Sequence, residues 1–400
     1  MTYPPRAHVP DELLSWLAEQ QPGASAQVGK WVRALSDSYV DSHAPTAAAI
    51  SAAHRLTAYA RYYLPVNYPK LHLPLAELAL QESLDPLRRE KLRVLDLGCG
   101  PGTFLLSVLG FLGERKACPK SLELVGVDID RRALSLLHDA CEWQAARCLP
   151  ETDVRVLTRE ADLFSPLPVE YRGRGFDVIV IGNALAEWAR GAKADAAAAS
   201  ARVKAALSML REGGALIVIE PALRETSRFL LEVRDVLLSE GAVHLYAPCL
   251  HSAPCPALAR ERDWCHERLD WELPRAIEEI DRAAGLQKGS LAFSYLVLRR
   301  EAGSLADLPG GVPAGWLRAR VVSDQLAEKG KRGCIACTQG GTRVYYETLD
   351  RKATRATLAA LEGLRRGSLA AFAPGKPAGE RTRLGEGEAP LPLLAPEAQE

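Results

Sequence analysis

The sequence has no excess of charge, no long apolar run and no recognisable export signal. Its 400 residues carry 50 Lys and Arg against 50 Asp and Glu, so the overall balance does not indicate a nucleic-acid or membrane partner. No segment approaches the roughly 18 apolar residues that a membrane-spanning helix needs. The first residues, MTYPPRAHVPDELL, lack the charged start and apolar stretch of a signal peptide. We expect a soluble, cytoplasmic protein without a membrane partner.

A disulfide framework is not expected either. Nine cysteines is an odd number, and without an export signal we expect reduced thiols. Four cysteines lie in helix-like or strand-like surroundings and are interpreted as small buried hydrophobic residues: Cys99, Cys118, Cys141 and Cys148. The other five lie beyond residue 248.

What is present divides the chain into four parts. Residues 1–88 carry helix-period apolar positions that end at prolines, which predicts an N-terminal helical region. Residues 89–300 alternate strand-like apolar runs with helix-period segments, which predicts an α/β domain with a parallel sheet covered on both faces. Residues 301–368 form a small basic C-terminal region. Residues 369–400 are rich in Pro, Gly, Ala and Glu, and we expect a disordered tail there.

A glycine turn follows the first predicted strand, in the stretch VLDLGCGPGTFLLSVL. Gly98, Gly100 and Gly102 allow a tight turn, and the helix that starts near Thr103 offers free amide donors to an anionic group. The spacing G-x-G-x-G differs from the dinucleotide fingerprint G-x-G-x-x-G, and the nearby Asp96 would repel a pyrophosphate. S-adenosylmethionine fits better, because its ammonium suits Asp96 and its carboxylate suits the start of the helix.

Acidic and polar residues end the next strands of the series. Asp128 ends the run VGVD and can accept hydrogen bonds from both hydroxyls of a ribose, each contributing about 1.5–3 kcal/mol. Asp162 follows the third strand and can accept from an adenine amino group. Asn183 and Glu187 follow the fourth strand, at the edge where open α/β sheets bind ligands. We therefore expect the cofactor at this edge of the sheet.

This series resembles the class I S-adenosylmethionine-dependent methyltransferases over the central region, and the resemblance implies their Rossmann-like fold. Groups for a particular methyl transfer are missing. The stretch NALAEW after the fourth strand has neither the proline-rich tetrad of amino-methylating enzymes nor the cysteine nucleophile of cytosine-C5 enzymes. A transfer that needs only proximity and a nucleophilic acceptor requires no such group. The catalytic residues are therefore unknown, and enzyme activity stays open.

Three cysteines are concentrated in APCLHSAPCPALARERDWCHERLDW, residues 247–271. With one later cysteine, either Cys337 or Cys334, the residues Cys249, Cys255 and Cys265 give four candidate metal ligands. Four thiolates suit tetrahedral zinc or an iron–sulfur cluster, and the wide spacing of the first three favours a cluster. His251 and His266 either support or replace a ligand, or are solvated loop residues.

The cysteine-rich stretch, the later strand FSYLVL and the following CTQGG together resemble the methyltransferase-like family of small-ribosomal-subunit assembly factors, found in mitochondria and many bacteria. The resemblance implies association with small-subunit ribosomal RNA or an assembly intermediate. It also implies a four-iron–four-sulfur cluster, with zinc as the alternative, held by Cys249, Cys255, Cys265 and Cys337. Methyl transfer is questioned in this family, in agreement with the missing acceptor groups.

The whole prediction is a Rossmann-like class I methyltransferase sheet with an N-terminal helical region, a cysteine-rich metal-binding insertion and a small basic C-terminal region joined to the sheet by the fourth ligand. Six residues are candidates for facing phosphates: Arg318, Arg320, Lys329, Lys331, Arg332 and Arg343. Two other functions stay open. One is a non-catalytic assembly or RNA-binding factor that uses the cofactor pocket as a scaffold, and the other is a methyltransferase for a small molecule or a protein. The oligomeric state is not indicated.

Overall fold

Helices come first along the chain, as the apolar periodicity predicts. The structure, a computed structural model, describes residues 7–40, 50–116, 118–162, 175–241 and 243–394. The first helices are α1 (Asp11–Gln20), α2 (Ser25–Val40), α3 (Ala52–Ala58), α4 (Leu64–Asn67) and α5 (His72–Ala79), with a π-helical turn, Tyr59–Tyr63, before α4. Tyr62 and Tyr68 are completely buried. These tyrosines therefore pack the helical layer onto the next domain, and their rings are not available to stack on bases.

A mixed sheet forms the central layer. Its strands are β1 (Lys91–Leu97), β2 (Ser121–Asp128), β3 (Asp153–Glu160), β4 (Phe176–Gly182), β5 (Leu210–Pro221), β6 (His244–Ala247), β7 (Glu267–Asp270) and β8 (Ser290–Arg299), in the order β3-β2-β1-β4-β5-β8-β6, with β7 also paired to β8. The helices of this domain are α6 (Thr103–Glu114), α7 (Arg131–Cys148), α8 (Leu185–Ala192), α9 (Ala196–Leu207), α10 (Arg224–Ser239) and α11 (Arg275–Ala284). Neighbouring residues of β1 face different cores: Val94 packs with residues of α6 and α7, and Leu95 with residues of α9 and α10.

The prediction of a parallel sheet holds for five strands and is wrong at one edge. Strands β3, β2, β1, β4 and β5 are parallel, but β8 runs antiparallel to β5, and both β6 and β7 run antiparallel to β8. The run LAFSYLVL of β8 is as continuously apolar as the parallel strands, because most of it is buried in the same way. Burial sets that pattern, and burial does not depend on the direction of the strand.

The cysteine-rich stretch interrupts the edge strand of this sheet. β6 pairs with the end of β8 at Val297–Arg299, and β7 pairs with its start at Ser290–Phe293. Both lie on the side of β8 opposite β5 and run in the same direction. Residues 248–266 leave the sheet between them, and we call this segment the cysteine insertion.

A second sheet follows, with α12 (Arg355–Gly363) packed against it. Its strands are β9 (Leu317–Val321), β10 (Leu326–Glu328), β11 (Lys331–Thr338), β12 (Arg343–Leu349), β13 (Leu369–Phe372), β14 (Lys376–Ala378), β15 (Arg381–Arg383) and β16 (Leu391–Leu394). The order is β14-β15-β12-β11-β9-β13-β16, with β10 on β11. Its core includes Tyr346 stacked on Phe372, with ring centroids 4.2 Å apart.

The expected disordered tail is wrong for residues 369–394. The four residues of β13 are buried, and this strand pairs with β9 on one side and β16 on the other. The tail as a whole is rich in Pro, Gly and Glu, and its average composition does not indicate the short apolar strand LAAF. Pairing on both sides satisfies the backbone of that strand. Residues 395–400 lie outside the described residues.

One buried arginine joins three parts of the chain. Arg320 of β9 contacts the carboxylates of Glu77 in α5, at 2.8 Å, and Glu267 in β7, at 2.7 Å. It also donates to the hydroxyl of Tyr295 in β8, at 3.1 Å, and that hydroxyl donates to Glu77. The second sheet is therefore fixed both to the N-terminal helices and to the end of the cysteine insertion. In the part of the chain that is described, no helix has the length and apolarity to cross a membrane.

Candidate functional site

The glycine turn lies where the sequence places it, between β1 and α6. Gly98, Gly100 and Gly102 have φ angles of 79°, 50° and 92°, which favour glycine. A Cβ on Gly102 would lie 2.8 Å from a side-chain carbon of Leu137 in α7, whereas a Cβ on Gly100 would have nothing within 4 Å. Gly102 is thus required for packing against α7, and Gly100 faces open space.

The acidic end of β2 is attached to this turn. One carboxylate oxygen of Asp128 accepts from the amide of Gly100 at 2.8 Å, and the other accepts from the amide of Asp130 at 2.9 Å. The next side chain, Ile129, is 64% exposed, the most exposed of the large apolar side chains described. Sequence reasoning missed Ile129, although a large apolar residue directly after the acidic end of a strand was a usable signal. A flat apolar ring such as adenine could cover it.

Asp96 is a buried carboxylate without a hydrogen-bond partner in the described part of the chain. It lies near the end of β1 with no exposed surface, and neither of its oxygens has a hydrogen-bond partner among the described residues. Burial, and then the charge of Asp128, raise the pKa of Asp96 well above its ordinary value. A buried acceptor normally has a partner, so this site lacks a donor, and a ligand ammonium is a donor of the required kind.

The other predicted cofactor residues are less clearly placed. Asn183 follows β4 with φ 57°; its amide donates to the carbonyl of Ile219, and its side-chain oxygen is buried without a partner among the described residues. Glu187 is in the first turn of α8. Asp162 is exposed in the segment after β3, next to residues 163–174, which lie outside the described residues. Its role in binding adenine stays a prediction.

A second buried carboxylate behind the edge was also missed from the sequence. Glu220, near the end of β5, accepts from the amides of Leu185 at 2.9 Å and Ala186 at 3.3 Å, at the start of α8. Burial raises its pKa to about 7. Its signal was a single acidic residue ending the apolar run ALIVIE. This carboxylate orients the segment after β4.

The four candidate metal ligands line one cavity. Cys249, Cys255, Cys265 and Cys337 face it, together with His251, Glu267, Arg320 and Arg343. The cavity is small, with a volume of about 30 Å³. Cys334 lies instead in the core of the second sheet with Ala319 and Tyr346. The structure therefore places Cys337, and not Cys334, beside the other three cysteines.

The thiols of the cavity lie near one another, with Cys255 buried and Cys249, Cys265 and Cys337 half-buried. Burial, and then the proximity of Cys249, raise the pKa of Cys255 to about 11 and that of Cys337 to about 12. The same causes raise the pKa of Cys265 well above its ordinary value. The Nε2 atom of His251 lies 3.4 Å from the sulfur of Cys337. Because these pKa values are raised, few of these thiols are ionised without metal. They would release their protons when metal binds.

The donor set suits a metal group, but the spacing does not match a single ion. Among residues 7–40, 50–116, 118–162, 175–241 and 243–394, no group of three or more His, Cys, Asp or Glu side chains is placed to hold one metal ion. Zinc binds its thiolates at about 2.3 Å, so it would draw the four sulfurs close together. A cluster of several irons holds its thiolates further apart, because each thiolate binds a different iron. The metal therefore stays a prediction.

The predicted phosphate-facing residues differ in their surroundings. Arg320 is wrong as a candidate, because it is buried in the contacts with Glu77 and Glu267. Arg343 pairs with Asp263 of the cysteine insertion at 3.1 Å and lines the cavity. The remaining candidates are Arg318, which donates to backbone carbonyls, Arg332, which pairs with Glu362, the exposed Lys329 and the half-buried Lys331.

The first sheet has five parallel strands extended by the antiparallel β8, a glycine turn follows β1, and a carboxylate ends β2. These features define the Rossmann-like α/β fold class of the methyltransferases. The chain belongs to the family described as mitochondrial small ribosomal subunit Rsm22, whose model matches residues 53–352. No curated protein sequence matches the chain.

Several solved methyltransferase structures are similar to part of the chain. An S-adenosylmethionine-dependent methyltransferase from Geobacter sulfurreducens, in complex with S-adenosyl-L-homocysteine, is 14% identical with a TM-score of 0.30, covering 55% of this chain and 91% of that one. A corresponding complex from Thiobacillus denitrificans is 15% identical with a TM-score of 0.31, covering 56% and 91%. Precorrin-6y C5,15-methyltransferase from Geobacter metallireducens is 13% identical with a TM-score of 0.31, covering 55% and 86%.

Proposed function

We propose that this protein binds S-adenosylmethionine at the glycine turn and an iron–sulfur cluster in the cysteine cavity, and that it acts on or binds small-subunit ribosomal RNA during ribosome assembly. The observation that carries the cofactor part is the buried Asp96 carboxylate, which has no hydrogen-bond partner in the described part of the chain and lies beside an open glycine turn. Membership of a small-ribosomal-subunit family supports the ribosomal part. The expected cytoplasmic location belongs to the same proposal, and cell fractionation checks it.

Each part of S-adenosylmethionine has a chemically matched group at this edge. Asp96 would accept from the ammonium, and the free amides at the start of α6 would bind the carboxylate. Both oxygens of Asp128 keep lone pairs for the ribose hydroxyls beyond the amides they already accept from. Ile129 would cover adenine, and Asp162 would accept from its amino group. When bound, the cofactor supplies an electrophilic methyl group, and these residues hold and orient it.

Calorimetric titration with S-adenosylmethionine tests the cofactor part. Replacing Asp96→Asn removes the charge that faces the ammonium, and we expect the affinity to fall by roughly 10-fold to 100-fold, as for loss of a charged hydrogen bond. Asp130→Asn is the matched control, because Asp130 caps α7 and asparagine is an equally good cap. Equal affinity of the Asp96→Asn variant and the original protein would contradict the proposed site.

The cluster is supported by the four cysteines that share one cavity. Anaerobic purification should give a brown protein with about four irons per chain. Cys337→Ser should lose this iron, whereas Cys334→Ser should keep it, because Cys334 is packed in the core of the second sheet. The two cysteines lie on the same strand, β11, which makes them a matched pair. A colourless protein with zinc would identify the alternative metal.

Binding to RNA and methyl transfer need separate measurements. A protein that binds ribosomal RNA should show an affinity that falls steeply with salt, whereas a methyltransferase for small molecules or proteins should not. A non-catalytic factor is favoured by the absence of an acceptor motif after β4. If Asp96→Asn and Asp128→Ala lose the cofactor but still support assembly of the small subunit, methyl transfer is not the function.

A further inference from the structure

Helix α10 supports the cysteine insertion with one face. Ser227 contacts the hydroxyl of Ser294 at 2.8 Å, and Ser294 donates to the carbonyl of Cys265 at 2.8 Å. The next residue, Arg228, donates to the carbonyl of Asp263, and Leu231, one turn further along, packs with Cys255. The insertion therefore rests on a regular helix of the methyltransferase-like domain.

Two residues of this helix hold the backbone around the cysteines. Arg234 donates to the carbonyls of His251 at 2.7 Å and Ala253 at 3.0 Å. Its neighbour Asp235, which also contacts the Arg234 guanidinium, accepts from the amide of Cys255 at 2.8 Å. Protein hydrogen bonds from α10 thus hold the segment from the first to the second cysteine.

Arg234 also brings a buried positive charge next to the thiols. Its side chain has no exposed surface, and its Nε atom is buried without a hydrogen-bond partner among the described residues. Burial lowers the pKa of Arg234, but Cys249, Asp235 and Cys255 more than offset this and raise it above its ordinary value. Asp235 is the partner in direct contact with it. Thiolates formed at Cys249 and Cys255 when metal binds would add further negative charge near this guanidinium.

We propose that Arg234 is the positioning residue of the cysteine cavity: it holds the loop from Cys249 to Cys255 ready for ligation and compensates negative charge of the bound thiolate–metal group. The inference rests on the proposed cluster, but it concerns a residue outside the ligand set. Four thiolates around a four-iron–four-sulfur core leave a net negative charge, which grows by one when the cluster accepts an electron. A fixed guanidinium stabilises the reduced state more than the oxidised state, and therefore raises the reduction potential.

The test compares arginines on the same helix. Arg234→Met removes the charge and the donors but keeps the length, and Arg234→Lys keeps the charge but loses the fork geometry. Arg228→Met is the matched control, because Arg228 also donates to carbonyls of the insertion, at Arg260 and Asp263, from the same helix. The midpoint potential is measured by titration with dithionite, which supplies the electron, and the iron content by a colorimetric assay.

We expect the midpoint potential of the Arg234→Met variant to be more negative than that of the original protein, with iron lost faster on exposure to a chelator. Arg234→Lys should keep the potential but lose iron faster, and Arg228→Met should match the original protein in potential. An unchanged potential and unchanged iron retention in Arg234→Met would overturn the inference. An equal shift in Arg228→Met would also overturn it, because the effect would then not be specific to Arg234.

A measurement on the metal-free protein separates this inference from the proposed cluster. The rate at which a thiol reagent modifies the cysteines reports how firmly the loop is held. Without metal, we expect the thiols of Arg234→Lys to react about tenfold faster or more, because charged hydrogen bonds to the loop are weakened. An original protein that takes up no iron would refute the cluster. Equal thiol reactivity in the original protein and in Arg234→Lys would refute the positioning role.

Discussion

The two candidate sites are built in opposite ways. The glycine-turn pocket comes from loops at one edge of the central sheet, and its most buried polar group, Asp96, has no partner among the described residues. The cysteine cavity combines an insertion in the first sheet with Cys337 from the second, and the charged groups around it pair with one another: Arg320 with Glu267, and Arg343 with Asp263. The first site lacks a donor that a ligand can supply. The second is held by the protein itself.

The largest expected effect comes from breaking the pairing near the cavity. Arg320→Met leaves the buried carboxylates of Glu77 and Glu267 without their cation, and we expect the free energy of unfolding to fall by about 3–5 kcal/mol. Urea denaturation measures the change, and hydrogen exchange should show the second sheet exposed first.

Arg318→Met is the control for Arg320, since both residues lie on β9. Arg318 donates to the carbonyls of Leu308 and Gly310, and its loss should cost no more than about 1.5 kcal/mol. Equal losses for Arg318→Met and Arg320→Met would mean that the buried contacts do not hold the cavity region together.

The next effect separates two glycines of the turn. Gly102→Ala combines a left-handed backbone with a 2.8 Å approach to Leu137, and should cost about 2–4 kcal/mol. Gly100→Ala has the backbone strain alone, about 1–2 kcal/mol, but it places a methyl group in the open space where the cofactor is proposed. Thermal denaturation should rank the two variants in that order. The reverse order would contradict the packing role assigned to Gly102.

Asp96→Asn should have a smaller and pH-dependent effect. The folded pKa of Asp96 lies above its ordinary value of 3.8, so the unfolded chain releases this proton first, and Asp96 lowers stability as the pH rises above that value. The variant should therefore gain stability relative to the original protein as the pH rises from about 5 to about 8. Denaturation without cofactor at these two pH values measures the difference in the free energy of unfolding between the variant and the original protein. If that free energy changed equally with pH in the two proteins, the prediction would be contradicted.

The smallest effect on stability is expected at Ile129. Because its side chain is 64% exposed, Ile129→Ala should change the free energy of unfolding by no more than about 0.5 kcal/mol. The affinity for S-adenosylmethionine should still fall by roughly threefold to tenfold, through loss of apolar contact with adenine. Calorimetric titration separates the two effects. A destabilised variant with unchanged affinity would show that Ile129 serves packing and not the ligand.

Local sequence patterns were enough to predict the glycine turn and the strand ends of the first candidate site, but not the surroundings of the second. The glycine turn and the strand ends of the first lie close to one another because parallel strands share an edge, so their spacing carries the information. Whether Cys337 or Cys334 faces the cavity depends on which face of β11 each residue occupies. The pairing of β11 within the second sheet determines which face that is. Arg320 looked like a surface cation because the sequence does not show that Glu77 and Glu267 lie opposite it.

The place of the cysteine insertion in the first sheet affects how the protein behaves in solution. β6 and β7 share the outer edge of β8, and residues 248–266 leave the sheet between them. Unpaired strand edges are templates for pairing with another chain, and proteins often cover such edges with loops. The insertion, together with its contacts to the second sheet, shields the middle of this edge. Loosening it would therefore bring a tendency to self-associate, and the solubility of cysteine variants would reflect an uncovered strand as well as a lost metal.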